Sequence, residues 1–417
     1  MKGFNGFKEY DVAIIGGGAA GMMAAAQSVG KGIKVALLEK NNQLGRKVLI
    51  TGKGRCNLTN ARPWEDFQEH IHPDPGFFKP SFMAFSNTDT VAFFNKIGLV
   101  TTCERGMRIF PSSGRSHDVR NVLEYYIGRA DNVDVFLESE VIQILPFSKG
   151  KFMLEVMTTF DRISMMRIVA ESVIIATGGL SYPLTGSTGD GYRFAASLGH
   201  SIVPTRPSLT ALIPQNYNLD LKGLTLRNVA LSLFVDGGVV QKEEGELTFT
   251  DGGIEGALGF RVSRKAVVAL DENKKVEVLI DLKPAVSELE LKNRVEREYD
   301  KKVRLDRFLE RFLPLQAVKP FIAANPNLSV QSLPVRLKNW KMKITGYVDY
   351  RRAVVTAGGV DLKDVSRKTM ESKLVPGIYF AGEVLDLDAD TGGYNLQIAF
   401  STGASAAKAA AERVSGR

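Results

Sequence analysis

Near its N-terminus the chain has an apolar strand that runs directly into a glycine-rich turn, and this feature limits the possible folds more than any other. Residues 11–15 form a short, mostly apolar and β-branched run, and residues 16–21 are Gly-Gly-Gly-Ala-Ala-Gly. The small side chains of residues 22–29 are typical of a closely packed helix, and a second apolar strand, residues 35–38, ends at Glu39. This order predicts a complete βαβ unit and an α/β fold of the Rossmann type.

The glycine spacing in this turn indicates a dinucleotide cradle. Gly16 permits the tight turn, Gly18 lets the backbone approach a pyrophosphate, and Gly21 lets helix and strand pack closely. The N-terminus of the following helix offers free N–H groups and a partial positive charge to the phosphates. A carboxylate at Glu39 would accept hydrogen bonds from ribose hydroxyls and disfavours a 2′-phosphate, so the motif predicts FAD or NAD rather than NADP.

A second glycine-rich element near the C-terminus favours FAD over NAD. A strand delivers Gly382 and Glu383, a loop carries Asp386, Asp388 and Asp390, and residues 392–395 open a small-residue helix. NAD needs only the first cradle. A flavin dinucleotide is longer, its ribityl chain needs hydrogen-bond acceptors, and its N1–O2 edge becomes negative on reduction, which a helix N-terminus stabilises.

The length of 417 residues predicts more than one domain. Residues 172–176 form another buried-strand candidate, whereas the part that begins near Ser201 first alternates polar and apolar residues and then becomes helical. Ser287 and Glu290 match a capping box that starts either one helix ending before Pro314 or two helices separated near Asp300. We therefore predict an FAD-binding domain in two parts, residues 1–200 and 345–417, interrupted by an insertion at residues 201–344.

Charge and cysteine content exclude several classes of protein. The net charge is +8, and residues 283–343 hold 14 Lys and Arg against 7 Asp and Glu. Much of that segment alternates in sign, which favours a solvated helix face over a polyanion site. The two cysteines allow neither a disulfide framework nor a thiolate zinc site, no apolar run is long enough to span a membrane, and the N-terminus does not resemble a signal peptide. We expect a cytoplasmic protein without metal or nucleic acid, and the sequence predicts no particular oligomeric state.

Five stretches spread over nearly the whole chain resemble the HI0933-like family of bacterial FAD-dependent oxidoreductases, which includes enzymes described as aminoacetone oxidases and bile-acid reductases. They are GGGAAG at residues 16–21, LGRKVLITGKGRCNLTN at 44–60, IFPSSGRS at 109–116, ATGGLSYPLTGSTGDGY at 176–192 and AGEVLDLDADTGGYN at 381–395.

The resemblance implies a noncovalent FAD on a domain of the glutathione-reductase type, with an insertion, part β-barrel and part helical, that caps the flavin. The residues that it implies as FAD contacts are Gly18, Ala19, Glu39, Arg46, Lys47, Asn57, Val141, Gly178, Glu383, Asn395 and Leu396. The two cradles and the strand ends beside them add Gly16, Ala20, Gly21, Lys40, Thr177, Gly382, Asp386 and Gly393.

The chain departs from the family pattern at two places. Lys53 stands where the family commonly has glycine. In residues 247–257, Asp251 and Glu255 replace a histidine and a serine of an LFTHxGxSGP-like stretch that belongs to the insertion. Because Asp-Gly is also a strong turn signal, Asp251 has two interpretations, a substrate contact and a simple turn.

The residues that could take part in the chemistry are few. Lys53 and Arg55 could reach a substrate carboxylate or carbonyl, while Arg46 and Lys47 are better explained as contacts to the pyrophosphate or as loop anchors. Tyr182, Tyr394 and Asp251 are possible proton donors that the sequence does not rank. Cys56, without a partner cysteine, is expected to be a packed residue, and His117 and His200 to be capping or surface residues.

We therefore predict an FAD-dependent oxidoreductase that acts on a small organic metabolite. One alternative is an FAD-dependent RNA-modifying enzyme that grips phosphates with its basic segment and uses Cys56 as nucleophile. Another is a flavin-binding protein without turnover. The sequence has no second GxGxxG cradle, so a nicotinamide donor, NAD(P)H, would visit the flavin only transiently.

Overall fold

The computed structural model describes residues 7–416, which divide into two compact units, each with its own hydrophobic core. The first unit contains the chain up to Thr205 and from Val355 onward, and the second contains Arg206–Val354.

The N-terminal part of the first unit alternates strands and helices. Its elements are β1 (Lys8–Ile15), α1 (Ala19–Ser28), β2 (Val35–Leu38), α2 (Arg46–Ile50), β3 (Thr59–Asn60), α3 (Trp64–Phe67), β4 (Ile71–His72), α4 (Pro75–Ala84), α5 (Asn87–Lys96), β5 (Thr101–Glu104), β6 (Arg108–Pro111), α6 (Ser116–Gly128), β7 (Val133–Phe136), β8 (Ser139–Pro146), β9 (Phe152–Thr158), β10 (Ser164–Ile175), α7 (Asp190–Ser197) and β11 (Ile202–Ser208), whose last residues enter the second unit.

The second unit is first β-rich and then mostly helical. Its elements are β12 (Leu212–Pro214), β13 (Thr225–Val235), β14 (Gly238–Thr250), β15 (Gly253–Glu255), α8 (Gly256–Asp271), β16 (Val276–Asp281), α9 (Glu288–Glu298), α10 (Leu305–Leu309), α11 (Leu315–Ala324), α12 (Leu333–Lys338) and β17 (Trp340–Tyr347). The chain then returns to the first unit with β18 (Val355–Val360), β19 (Ile378–Phe380), β20 (Asp388–Ala389) and α13 (Tyr394–Val414).

The first unit is built on a seven-stranded sheet in the order β7-β2-β1-β10-β9-β8, with β19 also paired to β10. Strands β7, β2, β1, β10 and β19 run parallel, whereas β9 pairs antiparallel with both β10 and β8. The last residues of β1 and all residues of β2 and β19 are buried without alternation, as expected for strands covered on both faces of the sheet. The predicted α/β fold is confirmed, and the predicted strand at 172–176 is the last part of a longer strand, β10.

Helices α1 and α13 lie against each other with their backbones close together, because small residues line the contact. A side chain at Gly403 of α13 would collide with the carbonyl oxygen of Ala20. This contact joins the two ends of the chain in one core, since Met22 and Ala406, one on each helix, are both fully buried.

The second unit is organised around a closed barrel in the order β12-β15-β14-β13-β16-β17. The alternation predicted near residues 229–235 is confirmed, because Val229, Leu231 and Leu233 of β13 are buried and belong to the unit's core. Strand β17 pairs with β16 and β12 and continues past the predicted boundary at residue 344, which is why this unit extends to Val354.

The helical part of the second unit begins as the sequence predicts. Ser287 and Glu290 form the capping box, with the Ser287 hydroxyl accepting from the Glu290 N–H and the Glu290 carboxylate accepting from the Ser287 N–H. Helix α9 ends at Glu298 and α10 starts at Leu305, so the alternative with separate helices around Asp300 is the observed one. Among the helices that the structure describes, none combines the length and hydropathy that a membrane-spanning segment requires.

Candidate active site

The parallel strands of the first unit end at one edge of the sheet. Ile15 of β1 is paired in register with Leu38 of β2 and with Ile175 of β10, and Ile175 is paired with Phe380 of β19. The segments that follow these four residues therefore lie side by side. They contain the turn at 16–21, Glu39, Thr177 with Gly178, and Gly382 with Glu383, all of which the sequence analysis assigned to the cofactor.

The glycine turn has the geometry that a pyrophosphate requires. Gly16 has a φ of +101°, and a Cβ at this position would lie 2.6 Å from the carbonyl oxygen of Ala176. A Cβ at Gly21 would collide with the carbonyl oxygen of Gly16, whereas one at Gly18 would have no atom within 4 Å. Helix α1 starts at Ala19 and has no side-chain cap. The N–H groups of its first turn therefore have no capping side chain as acceptor and could bind a phosphate.

The Glu39 carboxylate is fixed beside this turn. Its Oε2 accepts from the Gly17 N–H at 2.7 Å and its Oε1 accepts from the Asn41 N–H at 2.8 Å. Oε1 also accepts from the Asn41 side-chain amide at 2.6 Å, so Oε2, which has one hydrogen bond, is the oxygen with a second lone pair for a ribose hydroxyl. The neighbouring Lys40 makes an ion pair with Asp190 at 2.6 Å, which is a structural role in addition to the predicted cofactor contact.

Arg46 and Lys47, at the start of α2, join the loops around the strand ends. Arg46 donates to the side-chain oxygen of Asn41 at 2.5 Å, and Lys47 makes an ion pair with Glu383 at 2.7 Å. Glu383 also accepts from the Thr356 N–H at 2.9 Å. The loop-anchoring interpretation of these two cations is therefore the one with visible contacts, and their contact with a pyrophosphate stays a prediction.

Lys53, Arg55 and Cys56 have different surroundings. Lys53 is exposed and has a φ of +56°. Arg55 forms an ion pair with Glu104, and its guanidinium lies 4.3 Å from the centre of the Phe110 ring. Burial raises the pKa of the Cys56 thiol to about 12, so the reactive thiolate is not populated near neutral pH. Cys56 is thus a packed residue, as expected.

Two buried oxygens near the start of α13 lack a partner. Asn57 Oδ1 and Thr59 Oγ1 are buried, and neither has a hydrogen-bond partner in the part of the chain that the structure describes. A Cβ at Gly393, whose φ is +100°, would lie 2.5 Å from the Thr59 carbonyl, so the Thr59 backbone packs against the N-terminus of α13, and Asn57 precedes Thr59 by two residues. Helix α13 also lacks a side-chain cap, so the N–H groups of its first turn are available as donors. Together with the two buried oxygens as acceptors, they fit the polar edge of a flavin.

The remaining predicted cofactor residues are close to these two regions. The Asn395 amide accepts from the Ala389 N–H at 2.9 Å and donates to the Ala389 carbonyl at 2.7 Å, so this side chain holds β20 in place. Asp386 accepts from the Gly358 N–H at 3.1 Å. Gly178 has a φ of +73°. Ala20 lies on α1, Val141 on β8 and Leu396 on α13. Gly382 is the second residue after the end of β19.

A cluster that the sequence analysis missed lies beside Tyr394. His70 Nδ1 lies 2.9 Å from Asp390 Oδ2, His72 Nε2 lies 3.3 Å from Asp390 Oδ1, and the His70 ring stacks on Tyr394 with centroids 4.3 Å apart. Burial alone would raise the pKa of Asp390, but the hydrogen bonds from the two imidazoles lower it to about 2. His70 ends the short helix Gln68–His70, His72 lies on β4, and Asp390 is 320 residues from His70, so no local sequence signal reveals this cluster.

In the second unit, Asp251 and Glu255 share one cation. Asp251 lies in the turn between β14 and β15, as the simpler interpretation proposed, and accepts from Arg352 Nη1 at 2.7 Å. Arg352 Nη2 donates to Glu255 Oε1 at 3.2 Å. The hydrogen bond and charge of Arg352 lower the pKa of Asp251, so this carboxylate is ionised and is a poor proton donor at neutral pH.

Tyr182, His117 and His200 are the remaining candidates from the sequence analysis. Tyr182 has a φ of +53° and precedes the short helix Pro183–Thr185. His117 is exposed on α6. His200 is buried and not a surface residue, but its Nδ1 lies 3.1 Å from the Ala195 carbonyl in the last turn of α7, as the capping alternative predicted, and its Nε2 lies 2.7 Å from the Ser372 hydroxyl. Across residues 7–416, no group of His, Cys, Asp and Glu is arranged to hold a metal ion.

Comparison with known proteins identifies relatives over nearly the full length. The family model for the HI0933-like protein Rossmann domain matches residues 10–409. The chain is 31% identical to the 3-dehydro-bile acid delta(4,6)-reductase of Clostridium scindens, with 96% of this chain and 99% of that enzyme covered. It is 30% identical to the ribosomal RNA dihydrouridine synthase of Escherichia coli, with 95% and 96% covered.

Solved structures share the fold at low sequence identity. A 3-ketosteroid delta1-dehydrogenase from Sterolibacterium denitrificans matches with a TM-score of 0.53 and 12% identity, over 97% of this chain and 100% of that chain. An open flavocytochrome c3 fumarate reductase matches with a TM-score of 0.51 and 16% identity, over 98% and 79%. These similarities support the Rossmann-type FAD-binding fold.

Proposed function

Because this chain belongs to the HI0933-like family of FAD-dependent oxidoreductases, we propose that it uses FAD to reduce a carbon–carbon double bond conjugated with a carbonyl group. The proposal rests on the reactions for which its relatives are named. A 3-dehydro-bile acid carries a ketone, and a delta(4,6)-reductase saturates double bonds conjugated with it. A dihydrouridine synthase saturates the uracil C5=C6 bond, which is conjugated with the C4 carbonyl.

The residues around the strand ends fit a noncovalent FAD in two halves. The open space at Gly18, the uncapped start of α1 and the Glu39 carboxylate would hold the pyrophosphate and adenosine ribose. The orphaned oxygens of Asn57 and Thr59 and the uncapped start of α13 would hold the polar edge of the ring system. When bound, FAD supplies the hydride transfer, and the protein supplies position and electrostatics.

Reduction of a double bond requires a source of electrons. The described part of the chain has one Rossmann-type sheet, so we propose that a nicotinamide dinucleotide, NADH or NADPH, visits the flavin transiently and leaves after hydride transfer. We propose a small organic enone as the substrate class, because the Clostridium scindens relative is named for a substrate of this class.

A second candidate substrate is a uridine within RNA. Two observations favour it, the net charge of +7 over residues 283–343 and the relatives named for ribosomal RNA. Against it, many cations of this segment are paired locally, as in Arg294 with Glu298, Arg304 with Asp306, and Arg307 with Glu310. The burial of Cys56 also argues against an enzyme that needs a thiolate there.

The test is product analysis with the FAD-loaded protein and NADH or NADPH. We expect steroid or aliphatic enones to gain two hydrogens, which mass spectrometry detects, with one equivalent of nicotinamide oxidised per product. An RNA substrate would instead show dihydrouridine after nuclease digestion, together with RNA binding that weakens steeply with salt. Oxidation of the nicotinamide without reduction of either substrate class would contradict the proposal, and a flavin that no donor reduces would favour a binding protein without turnover.

A further inference from the structure

His70 is held as the imidazole of a proton donor would be. Its Nδ1 lies 2.9 Å from one oxygen of Asp390, whose other oxygen is 3.3 Å from His72 Nε2. The Asp390 N–H in turn donates to the His70 carbonyl at 3.0 Å, so the two residues are joined through backbone and side chain. This arrangement orients the ring and directs its second nitrogen, Nε2, away from the carboxylate.

The surroundings fix the ring without enclosing it. One face of His70 stacks on Tyr394 with an interplanar angle of 24°, and Tyr394 is itself buried against Phe67. About a quarter of the His70 side chain, 24%, is exposed. Within the described chain, no residue forms a hydrogen bond with His70 Nε2, so this atom remains able to exchange a proton with a ligand or with water.

The cluster of His70, His72 and Asp390 lies beside the start of α13, which we assigned to the flavin. Tyr394 is the first residue of α13, and it directly follows Gly393, which is packed against the carbonyl of Thr59. Thr59, whose buried hydroxyl has no partner among the described residues, is thus in backbone contact with this helix start, and Asn57, with its unpartnered Oδ1, precedes it by two residues. The His70 ring is therefore one stacked residue away from the helix end assigned to the polar edge of the flavin.

We propose that His70, oriented by Asp390, is the proton donor of the reduction. This inference rests on the proposed function. Saturation of a conjugated double bond adds a hydride to the β-carbon and a proton to the α-carbon. Bound FAD, once reduced by the nicotinamide dinucleotide, would supply the hydride with its electron pair. The proton leaves Nε2 of the His70 imidazolium, the new C–H bond forms at the α-carbon, and the neutral imidazole takes a proton from water.

In this assignment His72 and Tyr394 are positioning residues. His72 Nε2 contacts Asp390 Oδ1, the carboxylate oxygen that His70 does not contact, and Tyr394 stacks on the ring of His70. Ionised Asp390 stabilises the imidazolium before transfer. Other charged groups near these elements are Asp388 on β20 and Asp74 at the start of α4.

The kinetic test separates protonation from electron transfer. FAD-loaded protein is reduced anaerobically with dithionite and mixed either with an enone or with ferricyanide, which takes electrons without protonation of carbon. We expect His70→Gln to slow reoxidation by the enone at least 100-fold, the lower range for loss of a general acid, and to leave reoxidation by ferricyanide unchanged. His117→Gln, on the exposed face of α6, is the matched control and should behave as wild type.

Equal enone rates in His70→Gln and wild type would overturn the assignment, as would a loss seen only in His72→Gln. If wild-type protein is itself inert to all enones, the proposed function fails, and a second measurement then decides the placement of His70. The chain has four histidines, so each ring gives a resolvable signal in protein labelled with 13C-histidine. Adding FAD to apoprotein should shift the His70 signal and leave the His117 signal in place. An unchanged His70 signal would exclude a position beside the flavin.

Discussion

At the scale of single residues, Glu39 and Cys56 show how position determines chemical role. The Glu39 carboxylate is only 8% exposed and is held by the N–H groups of Gly17 and Asn41, so it enters the cofactor region already oriented. Cys56 is fully buried, and its neighbours keep it a thiol. The packed role of Cys56 was predicted from the lack of a partner cysteine, whereas the contact of Glu39 with a cofactor stays a prediction that its local motif supports.

We expect Glu39→Gln to weaken FAD binding by about 1–3 kcal/mol, since a charged acceptor for ribose hydroxyls becomes neutral. Titration of apoprotein with FAD, followed by fluorescence quenching, measures the loss. Glu412→Gln, an exposed change in the last turn of α13, is the control. Equal FAD affinity in Glu39→Gln and wild type would remove Glu39 from the site.

The two cysteines should react very differently with an alkylating reagent. In native protein at pH 8, iodoacetamide should modify exposed Cys103 and leave Cys56 unmodified, because burial raises the pKa of the Cys56 thiol to about 12. Peptide mapping before and after unfolding in urea gives the result. Rapid labelling of Cys56 in native protein would restore it as a candidate nucleophile.

At the scale of elements, the contact between α1 and α13 holds the cofactor region together. It depends on Gly403, where any side chain would meet the backbone of Ala20. Both helix starts belong to the proposed FAD site, so a shift of one helix against the other would change the distance between the two halves of that site.

We expect Gly403→Ala to destabilise the protein by about 1–3 kcal/mol, although alanine normally favours a helix, because the extra methyl overpacks the contact. Gly128→Ala at the end of α6, where an added Cβ meets no atom within 4 Å, should be neutral or slightly stabilising. Thermal unfolding of both variants with and without FAD provides the comparison. A stabilised Gly403→Ala would show that the two helices are not in close contact.

The turn that contains Asp251 provides a test of the second unit. Asp251→Asn should leave FAD content and the thermal midpoint nearly unchanged, because the pair with Arg352 is exposed. Turnover should also stay near the wild-type value if the residue serves only the turn. A fall in turnover with normal FAD content would instead place Asp251 at the substrate, and a loss of FAD would contradict its assignment to a unit separate from the cofactor.

The elements also show where prediction from sequence succeeds and where it fails. Strand β2 and the Ser287 capping box were predicted because their signals lie within a few neighbouring residues. The first part of β10, residues 164–171, was missed, because Ser164, Arg167 and Glu171 interrupt its apolar residues and its pairing with the antiparallel strand β9 is visible only in the fold. His70 and Asp390 are 320 residues apart in sequence, and Arg352 is 101 residues from Asp251, so no local signal could join either pair.

At the scale of the whole molecule, the chain combines a Rossmann-type FAD-binding unit with a barrel and helices that hold most of its excess positive charge. The fold was accessible from the sequence because cofactor turns have strict backbone requirements. The identity of the substrate was not accessible from the sequence, because Asp251, Glu255 and Lys53 depart from the family pattern. The pairing of Asp251 and Glu255 with Arg352 is known only from the fold.

The central claim is that the reduced flavin of this protein transfers its electrons to a carbon–carbon double bond conjugated with a carbonyl. The direct measurement is a single turnover without oxygen, in which FAD-loaded, reduced protein is mixed with matched substrates while flavin absorbance is followed. We predict that enones restore the absorbance of oxidised flavin, each forming one equivalent of saturated ketone, and that alkenes of the same size without the carbonyl do not. Reduced flavin that stays bleached with every conjugated substrate, including uridine-containing RNA, or that reacts equally with isolated alkenes, would contradict the claim.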